Sequence, residues 1–159
     1  MARTERQLAQ HPVTLTLPPD VLVSIDGVLI EQVLINLLEN AARYTPPGSP
    51  VNIRAFTVVG TNYVVIEVAD SGPGIVPGDE ARIFEKFYRA ATVNNSHGAG
   101  LGLAIAEGIM RAHGGQISVA NQPGGGAIFR LTLPIEGQPP VIEASLDLPT
   151  LPSNTAIPT

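Results

Sequence analysis

The chain of 159 residues contains no cysteine, and no apolar run approaches the roughly 20 residues that cross a bilayer as a helix. The first absence excludes disulfides, thiolate metal sites and thiol catalysis. The second, with no recognisable signal peptide, predicts a cytoplasmic chain that is not itself embedded in a membrane, whether or not its parent protein is membrane-bound. Charge is sparse and acidic, since 9 Lys and Arg against 14 Asp and Glu give a net charge of −5. This balance lacks the basic surface typical of nucleic-acid binding, so no nucleic-acid partner is expected.

Hydrophobic residues make up 44% of the chain, which is enough for the core of one globular domain. We expect that domain at residues 12–135, and we expect it to be monomeric by itself. Residues 1–11 are polar and are interpreted as a leader or the end of a preceding helix. Residues 136–159, rich in proline, are interpreted as a disordered tail.

Hydrophobic periodicity predicts interspersed strands and helices without regular βαβ alternation. Asp26 stands where a helix N-cap is expected, and the prolines after Thr45 end the same helix. The predicted fold class is a two-layer α/β (α+β) sandwich, in which a mixed, mostly antiparallel sheet carries helices on one face. The predicted helices cover 27–44 and 101–113, and the predicted strands cover 13–17, 21–25, 51–59, 63–69, 116–120 and 127–133.

The first helix carries a polar stripe. Asn36, Asn40 and Arg43 are spaced i, i+4 and i+7 and share one face, with Tyr44 beside them. An Asn oxygen can ligate Mg²⁺, Arg can pair with phosphate, and a Tyr ring can stack on a base. Taken alone, the stripe is better explained as an ordinary polar helix face in contact with solvent.

A glycine-rich turn follows the strand at 63–69. Asp70 could accept a hydrogen bond from an exocyclic amine, and Gly72 and Gly74 would let backbone approach a flat ligand closely. A structural Gly/Pro turn is the alternative.

The segment Ile83–Arg89 contains two aromatic residues at i and i+3. Phe84 and Phe87 could anchor one helical turn while Lys86 and Arg89 point elsewhere. The alternative is a small amphipathic core helix.

A second glycine-rich stretch, Gly98–Leu103, leads into the second long helix. Free N–H groups and the positive end of the helix dipole would favour phosphate there. The GxGxG spacing differs from the dinucleotide fingerprint and from a P-loop, and a flexible linker is the alternative.

The order of these segments over about residues 13–134 resembles the ATP-binding domain shared by sensor histidine kinases, type II topoisomerases, the ninety-kilodalton heat-shock chaperone and mismatch-repair ATPases, known as the Bergerat fold. The sequence of Ile83–Arg89 is most similar to that of potassium-responsive sensor kinases of the Kdp type. The Ala-His-Gly-Gly sequence around His113, at the end of the second helix, shows the same similarity. The segments that carry the resemblance are 34–45 (Asn-box), 70–74 (first glycine box), 83–89 (Phe-box), 98–103 (second glycine box) and 124–126 (last glycine turn).

The resemblance implies that the cofactors are ATP and Mg²⁺. Asn40 matches the metal ligand, and Asn36 matches a residue that supports the metal and phosphate region. Arg43 matches a phosphate contact, Tyr44 a ring over the adenine, and Asp70 the carboxylate that reads the adenine amine.

The same resemblance implies that residues 90–98 form a mobile lid over ATP. Lys86 or Arg89 is expected to reach the γ-phosphate, and the sequence does not choose between them. The positions implied to shape the base pocket, flank the triphosphate and hold the lid are Gly72, Gly74, Ile75, Gly98, Gly100, Leu101, Gly102 and Leu103.

One departure separates the branches of this family. ATPase members carry a Glu four residues before the metal Asn, as general base for water, whereas this chain has Asn36, which cannot take a proton. Glu39 is next to Asn40 in the chain and therefore points about 100° away from it around the helix, so it should not act as the general base instead. The resemblance therefore implies a protein-histidine kinase that transfers the γ-phosphoryl group to a partner, in potassium or osmotic-stress signalling.

The histidines of the chain are His11, His97 and His113, and none has the His-Glu/Asp context of a phosphoacceptor. His113 stands at a helix C-terminus, where a cation favours the dipole. The acceptor is expected on a separate phosphoacceptor and dimerisation domain, with a response regulator as an indirect partner. An ATP-hydrolysing switch, a non-catalytic nucleotide-binding regulatory module and a serine kinase acting on anti-sigma partners are the alternatives.

Overall fold

The structure of this chain is a computed structural model that describes residues 8–18, 21–89 and 100–136. The expected leader is therefore described only from Leu8 and the expected tail only at Glu136. Neither long helix in the described part is long and apolar enough to cross a membrane. In chain order the elements are β1 (Val13–Thr16), α1 (Gly27–Tyr44), β2 (Val51–Thr57), β3 (Tyr63–Ala69), a 3₁₀ turn (Arg82–Phe84), α2 (Gly102–Ala112), β4 (Gln116–Asn121) and β5 (Ala127–Pro134).

The five strands form one sheet in the order β1-β2-β3-β5-β4. Strand β1 runs parallel to β2, and the other neighbouring pairs are antiparallel. The predicted mixed, mostly antiparallel sheet is thus confirmed. Because β3 and β5 are neighbours that run antiparallel, the first residues of β5 lie beside the last residues of β3, with Ile128 opposite Ala69.

Helix α1 packs one apolar stripe against the sheet. Its buried residues, Ile30, Val33, Leu37 and Ala41, are separated by three or four positions and so share one face. They join Leu131 and other inward-facing strand residues in a single core cluster, to which α2 adds Ala106 and Met110. Each fully buried Leu or Met contributes about 1.5–3 kcal/mol relative to exposure, so this stripe sets the position of α1.

Both ends of α1 are fixed as the sequence predicts. The Asp26 carboxylate accepts the backbone N–H groups of Val28 at 3.0 Å and Leu29 at 3.1 Å, which makes it the N-cap. At the other end Thr45 donates its N–H to the Ala41 carbonyl at 3.0 Å before the prolines stop the helix. The last turn of α1, with Asn40 and Tyr44, is consequently held in one place.

His113 ties the two helices together. The ring is buried, its Nε2 accepts the backbone N–H of Asp26 at 3.1 Å, and its Nδ1 lies 2.8 Å from the Ile109 carbonyl. The Nε2 atom is therefore the acceptor, and Nδ1 is the nitrogen that donates to the Ile109 carbonyl. The C-terminus of α2 is thereby joined to the N-terminus of α1.

The predicted strand at 21–25 is also wrong. Val21, Val23 and Ile25 do pack against the core, which explains the alternation in the sequence. The segment lies outside the sheet, and the described bond from its backbone to the rest of the fold is Ser24 N–H to the Ile135 carbonyl at 3.3 Å. Alternation reports which side chains are buried, and it does not report whether the backbone joins a ladder.

A three-residue ladder of charges crosses the outer face of the sheet. Glu67 lies directly opposite Arg54 on one side and Arg130 on the other. Its carboxylate is only 2% exposed, and it accepts the Nε–H of Arg54 and, at 2.7 Å, the Nε–H of Arg130. Burial acts to raise the pKa of Glu67, but the hydrogen bonds and charges of the two arginines together outweigh it and lower the pKa below its ordinary value.

The lowered pKa of Glu67 predicts acid sensitivity of the fold. Because the folded-state pKa lies below the unfolded one, its contribution to stability is present above about pH 4.5 and is lost as the pH falls through the folded value. We expect Glu67→Gln to lower the free energy of unfolding at pH 7 by about 1–3 kcal/mol and to flatten its decline between pH 5 and pH 3. Denaturant unfolding at several pH values measures both, with Glu31→Gln on the exposed face of α1 as control. If the free energy of unfolding declines equally steeply between pH 5 and pH 3 in wild type and Glu67→Gln, Glu67 is not the source of the acid sensitivity.

Candidate functional site

A cavity of about 470 Å³ opens between the last turns of α1, the loop after β3 and the chain that leads into α2. Eight of its lining residues are among those predicted from the sequence: Asn40, Tyr44, Asp70, Gly74, Ile75, Arg89, Gly100 and Leu103. Eight others were not predicted as site residues: Pro73, Val76, Pro77, Asp79, Ile83, Tyr88, Ala127 and Phe129.

Asp70 is the buried carboxylate of this cavity. Its Oδ1 accepts the backbone N–H of Gly72 at 2.8 Å and that of Ala127 at 3.3 Å. Its own backbone N–H donates to the Ala127 carbonyl at 2.9 Å, so both the main chain and the side chain are tied to the start of β5. No described residue donates to Oδ2, and this oxygen is available to a donor in the cavity.

Gly126 allows this close approach. Its φ is +93°, and a Cβ at this position would lie 2.0 Å from the Asp70 carbonyl oxygen. A side chain would therefore push β5 away from the loop after β3. The glycine turn is visible in the sequence, but no local pattern indicates this contact, which joins positions 56 residues apart.

Two side chains of β4 and its turn complete the wall behind Asp70. Asn121 accepts the Ile75 N–H at 2.6 Å and donates to the Ile75 carbonyl at 2.8 Å. Gln122 donates through Nε2 to the Asp70 carbonyl at 2.7 Å. The first glycine box is thus held in shape by polar side chains that no local motif indicated.

On α1, the structure separates the polar stripe into two groups. Asn40 and Tyr44, one turn apart, both line the cavity, whereas Asn36 and Arg43 do not. Asn36 instead donates through Nδ2 to the Gly102 carbonyl at 3.0 Å and accepts Gln32 Nε2 at 3.3 Å. It therefore joins α1 to the first turn of α2.

The Phe-box differs from the expected helical turn. The 3₁₀ turn ends at Phe84, which packs against the core, while Phe87 is 69% exposed with φ +66°. The prediction that Phe87 anchors the turn is wrong, because the helical spacing stops before it. Arg89 lines the cavity, and Lys86 is exposed outside it.

Part of the second glycine box reaches the cavity. Gly100 and Leu103 line it, while Leu101 and Gly102 are half-buried at the start of α2 outside the lining. Gly98 and the predicted lid at 90–98 lie outside the described residues, as does His97.

The cavity combines an apolar slot with a few polar groups. Ile75, Leu103 and Phe129 line the cavity with apolar surface, and the carboxylate of Asp70 offers one hydrogen-bond acceptor among them. A planar ring that carries an exocyclic amine fits this combination. The described residues contain no group of three His, Cys, Asp or Glu that could hold a metal. An Asn40 oxygen, completed by phosphate oxygens and water, fits the preference of Mg²⁺.

Residues 25–137 match the family described as histidine kinase-, DNA gyrase B- and HSP90-like ATPases. The sensor protein KdpD of Escherichia coli (strain K12) is 46% identical over 138 residues, which cover 86% of this chain and 15% of that protein. The chain therefore spans less than a sixth of the length of this relative.

Solved structures show the same architecture. The mycobacterial sensor histidine kinase MprB is similar with a TM-score of 0.75 at 30% identity, over 87% of this chain and 91% of that one. Full-length ShkA, solved in complex with AMPPNP, is similar with a TM-score of 0.67 at 32% identity, over 84% of this chain and 27% of that one.

Two glycines of the turn at 124–126 allow a matched test of the contact between Asp70 and the start of β5. Gly124 and Gly126 share φ +93°, but a Cβ on Gly124 meets nothing within 4 Å. We expect Gly124→Ala to cost about 1 kcal/mol from backbone strain and Gly126→Ala at least about 2 kcal/mol more, because only the second collides with Asp70. Thermal and denaturant unfolding of both variants measure the difference. Equal losses would show that the contact does not determine the position of β5.

Proposed function

Because the chain belongs to the family of histidine kinase-, DNA gyrase B- and HSP90-like ATPases, we propose that it binds Mg²⁺-ATP and donates the γ-phosphoryl group to a histidine on a separate domain. The observation that carries the nucleotide assignment is Asp70, with Oδ1 held by two backbone N–H groups and Oδ2 available in an apolar slot. An adenine amine is a donor of the right kind for that oxygen. The AMPPNP bound to ShkA, a structural neighbour, supports a site for adenine nucleotides.

The phosphates would lie toward the start of α2. Arg89 lines the cavity while Lys86 lies outside it, which favours Arg89 as the γ-phosphate contact. Asn40 would hold Mg²⁺, which would neutralise the negative charge of the phosphates. Arg43 and Asn36 are proposed to support this end of the site without lining the cavity, Asn36 through its bond to Gly102.

Transfer is favoured over hydrolysis by the state of Asn36. Both atoms of its amide are engaged, since Nδ2 donates to Gly102 and Oδ1 accepts from Gln32. An amide cannot take the proton of an attacking water. Glu39, the neighbouring carboxylate, is not among the described residues that line the cavity. Water is therefore poorly activated, and positioning of a histidine acceptor is left to a partner domain.

We further propose a place in a two-component sensor kinase of the cytoplasm. The acceptor would be the phosphoacceptor and dimerisation domain of the parent protein, with a response regulator downstream. The similarity to KdpD supports potassium or osmotic-stress signalling as the pathway. The net charge of −5 gives no support to a nucleic-acid partner.

Asp70→Asn tests the adenine assignment. The amide oxygen can still accept the Gly72 and Ala127 N–H groups, so the loop is kept, but the NH₂ then faces the adenine amine as a second donor. We expect wild-type binding of ATP with Mg²⁺ at roughly −8 to −5 kcal/mol by calorimetry. The variant should bind about 10- to 150-fold more weakly, since a charge-assisted hydrogen bond contributes about 1.5–3 kcal/mol. Glu31→Gln serves as control, and unchanged binding by Asp70→Asn would remove the assignment.

A transfer assay separates the kinase from a hydrolytic switch. With γ-labelled ATP, we expect the chain alone to release phosphate slowly and to label the purified phosphoacceptor domain of its parent protein in an acid-labile form. Asn40→Ala should lose both ATP-dependent labelling and the Mg²⁺ dependence of binding. Steady hydrolysis without an acceptor would favour the ATPase branch, and binding without transfer would favour a regulatory module.

A further inference from the structure

We propose that Asp79 and Tyr88 form a positioning pair that sets Arg89 at the phosphate end of the cavity, an inference that rests on the proposed function. Neither residue was indicated as a site residue by the sequence, and both line the cavity. Arg89 follows Tyr88 directly in the chain, so fixing the tyrosine fixes the point from which the arginine side chain starts.

Asp79 is a fixed anchor. Its backbone N–H donates to the Val76 carbonyl at 3.0 Å, and its carbonyl accepts the Ile83 N–H at 3.0 Å. Its carboxylate accepts the Tyr88 hydroxyl through Oδ2 and the Arg82 Nη1 at 2.9 Å through Oδ1. Both oxygens of Asp79 thus have protein donors, which suits a residue that acts through its neighbours.

Tyr88 is held from two directions. Its hydroxyl donates to Asp79, and the Arg82 guanidinium lies 5.1 Å above its ring. The hydrogen bond to Asp79 is the largest cause that raises the pKa of Tyr88, followed by burial and the negative charge of Asp79. The hydroxyl therefore stays protonated and remains a donor at neutral pH.

The backbone on the other side of Tyr88 is clamped as well. Phe87 donates its N–H to the Gly100 carbonyl at 2.9 Å, and a Cβ on Gly100 would lie 2.9 Å from the Tyr88 carbonyl oxygen. Phe87 adopts φ +66°, a conformation that is strained for a non-glycine residue, while its own ring is exposed. Packing of Phe87 does not hold this conformation, so the bonds of Tyr88 and Gly100 must do so.

A long side chain gains most from such preorganisation. An arginine whose backbone is fixed loses less conformational freedom when it meets a phosphate, and its contribution is realised only when that phosphate is present. The pair should therefore affect the γ-phosphate and leave the adenine end unchanged.

Comparison of ATP and ADP binding tests the pair. We expect Tyr88→Phe and Asp79→Asn each to weaken binding of Mg²⁺-ATP about tenfold, or about 1.4 kcal/mol, and to change ADP binding less than twofold. The double variant should lose little more than Asp79→Asn alone, because the hydrogen bond between Tyr88 and Asp79 is already removed in each single variant. Arg89→Ala should show the same ATP-selective loss. Tyr63→Phe, on the exposed sheet surface away from the cavity, is the matched control.

The outcomes separate the pair from the site itself. Unchanged ADP binding also shows that each variant is folded. If Asp79→Asn fails to fold, Tyr88→Phe still tests the pair, because it removes only one oxygen atom. Equal weakening of ATP and ADP would overturn the inference, since Asp79 would then act on the common part of the nucleotide or on the wall. Unchanged ATP binding in both variants would also overturn it. Failure of wild type to bind either nucleotide would instead overturn the proposed function, and the inference with it.

Discussion

The attachment of the Asp70 carboxylate to the start of β5 is the constraint on which the site depends. One oxygen joins the loop after β3 to Ala127, and the absence of a side chain at Gly126 lets the two backbones meet. The cost of burying this carboxylate is offset by two backbone donors, which also orient it. The second oxygen is then presented in one direction, and a bound ring must meet it there.

The helices extend this constraint to the other end of the cavity. Asn36 joins α1 to the first residue of α2, and His113 joins the far end of α2 to the start of α1. Two polar contacts at opposite ends therefore set how the helices lie across the sheet. Asn40 and Tyr44 face the cavity because the buried stripe of α1 turns them there, and Leu103 in the first turn of α2 lines the same cavity.

The Phe-box shows how local pattern and tertiary contact divide the structure. Spacing of i and i+3 predicted that Phe84 and Phe87 share a face, yet the chain leaves the helical conformation at Glu85, the C-cap of the 3₁₀ turn. The carboxylate of Asp79 and the carbonyl of Gly100 then determine the path of the chain. Residues that contact each other from separate loops leave no periodic pattern in the sequence. Sequence patterns therefore identified the Phe-box as a segment of interest and missed its conformation.

The sequence by itself determined both long helices, the five strands of the sheet in their order along the chain, the N-cap at Asp26 and the apolar stripe of α1, although it also predicted a strand at 21–25 that is absent. Its resemblance to a known family indicated eight of the residues that line the cavity. The helices, the strands, the cap and the stripe follow from local rules, because capping and periodicity involve residues that are close in the chain. Only the tertiary structure decided that 21–25 stays outside the sheet, that His113 joins the two helices, and that Ala127 and Phe129 line the cavity beside Asp70. The reason is that strand order brings β5 beside β3, and a contact across about 57 residues depends on the whole packing and on no local preference.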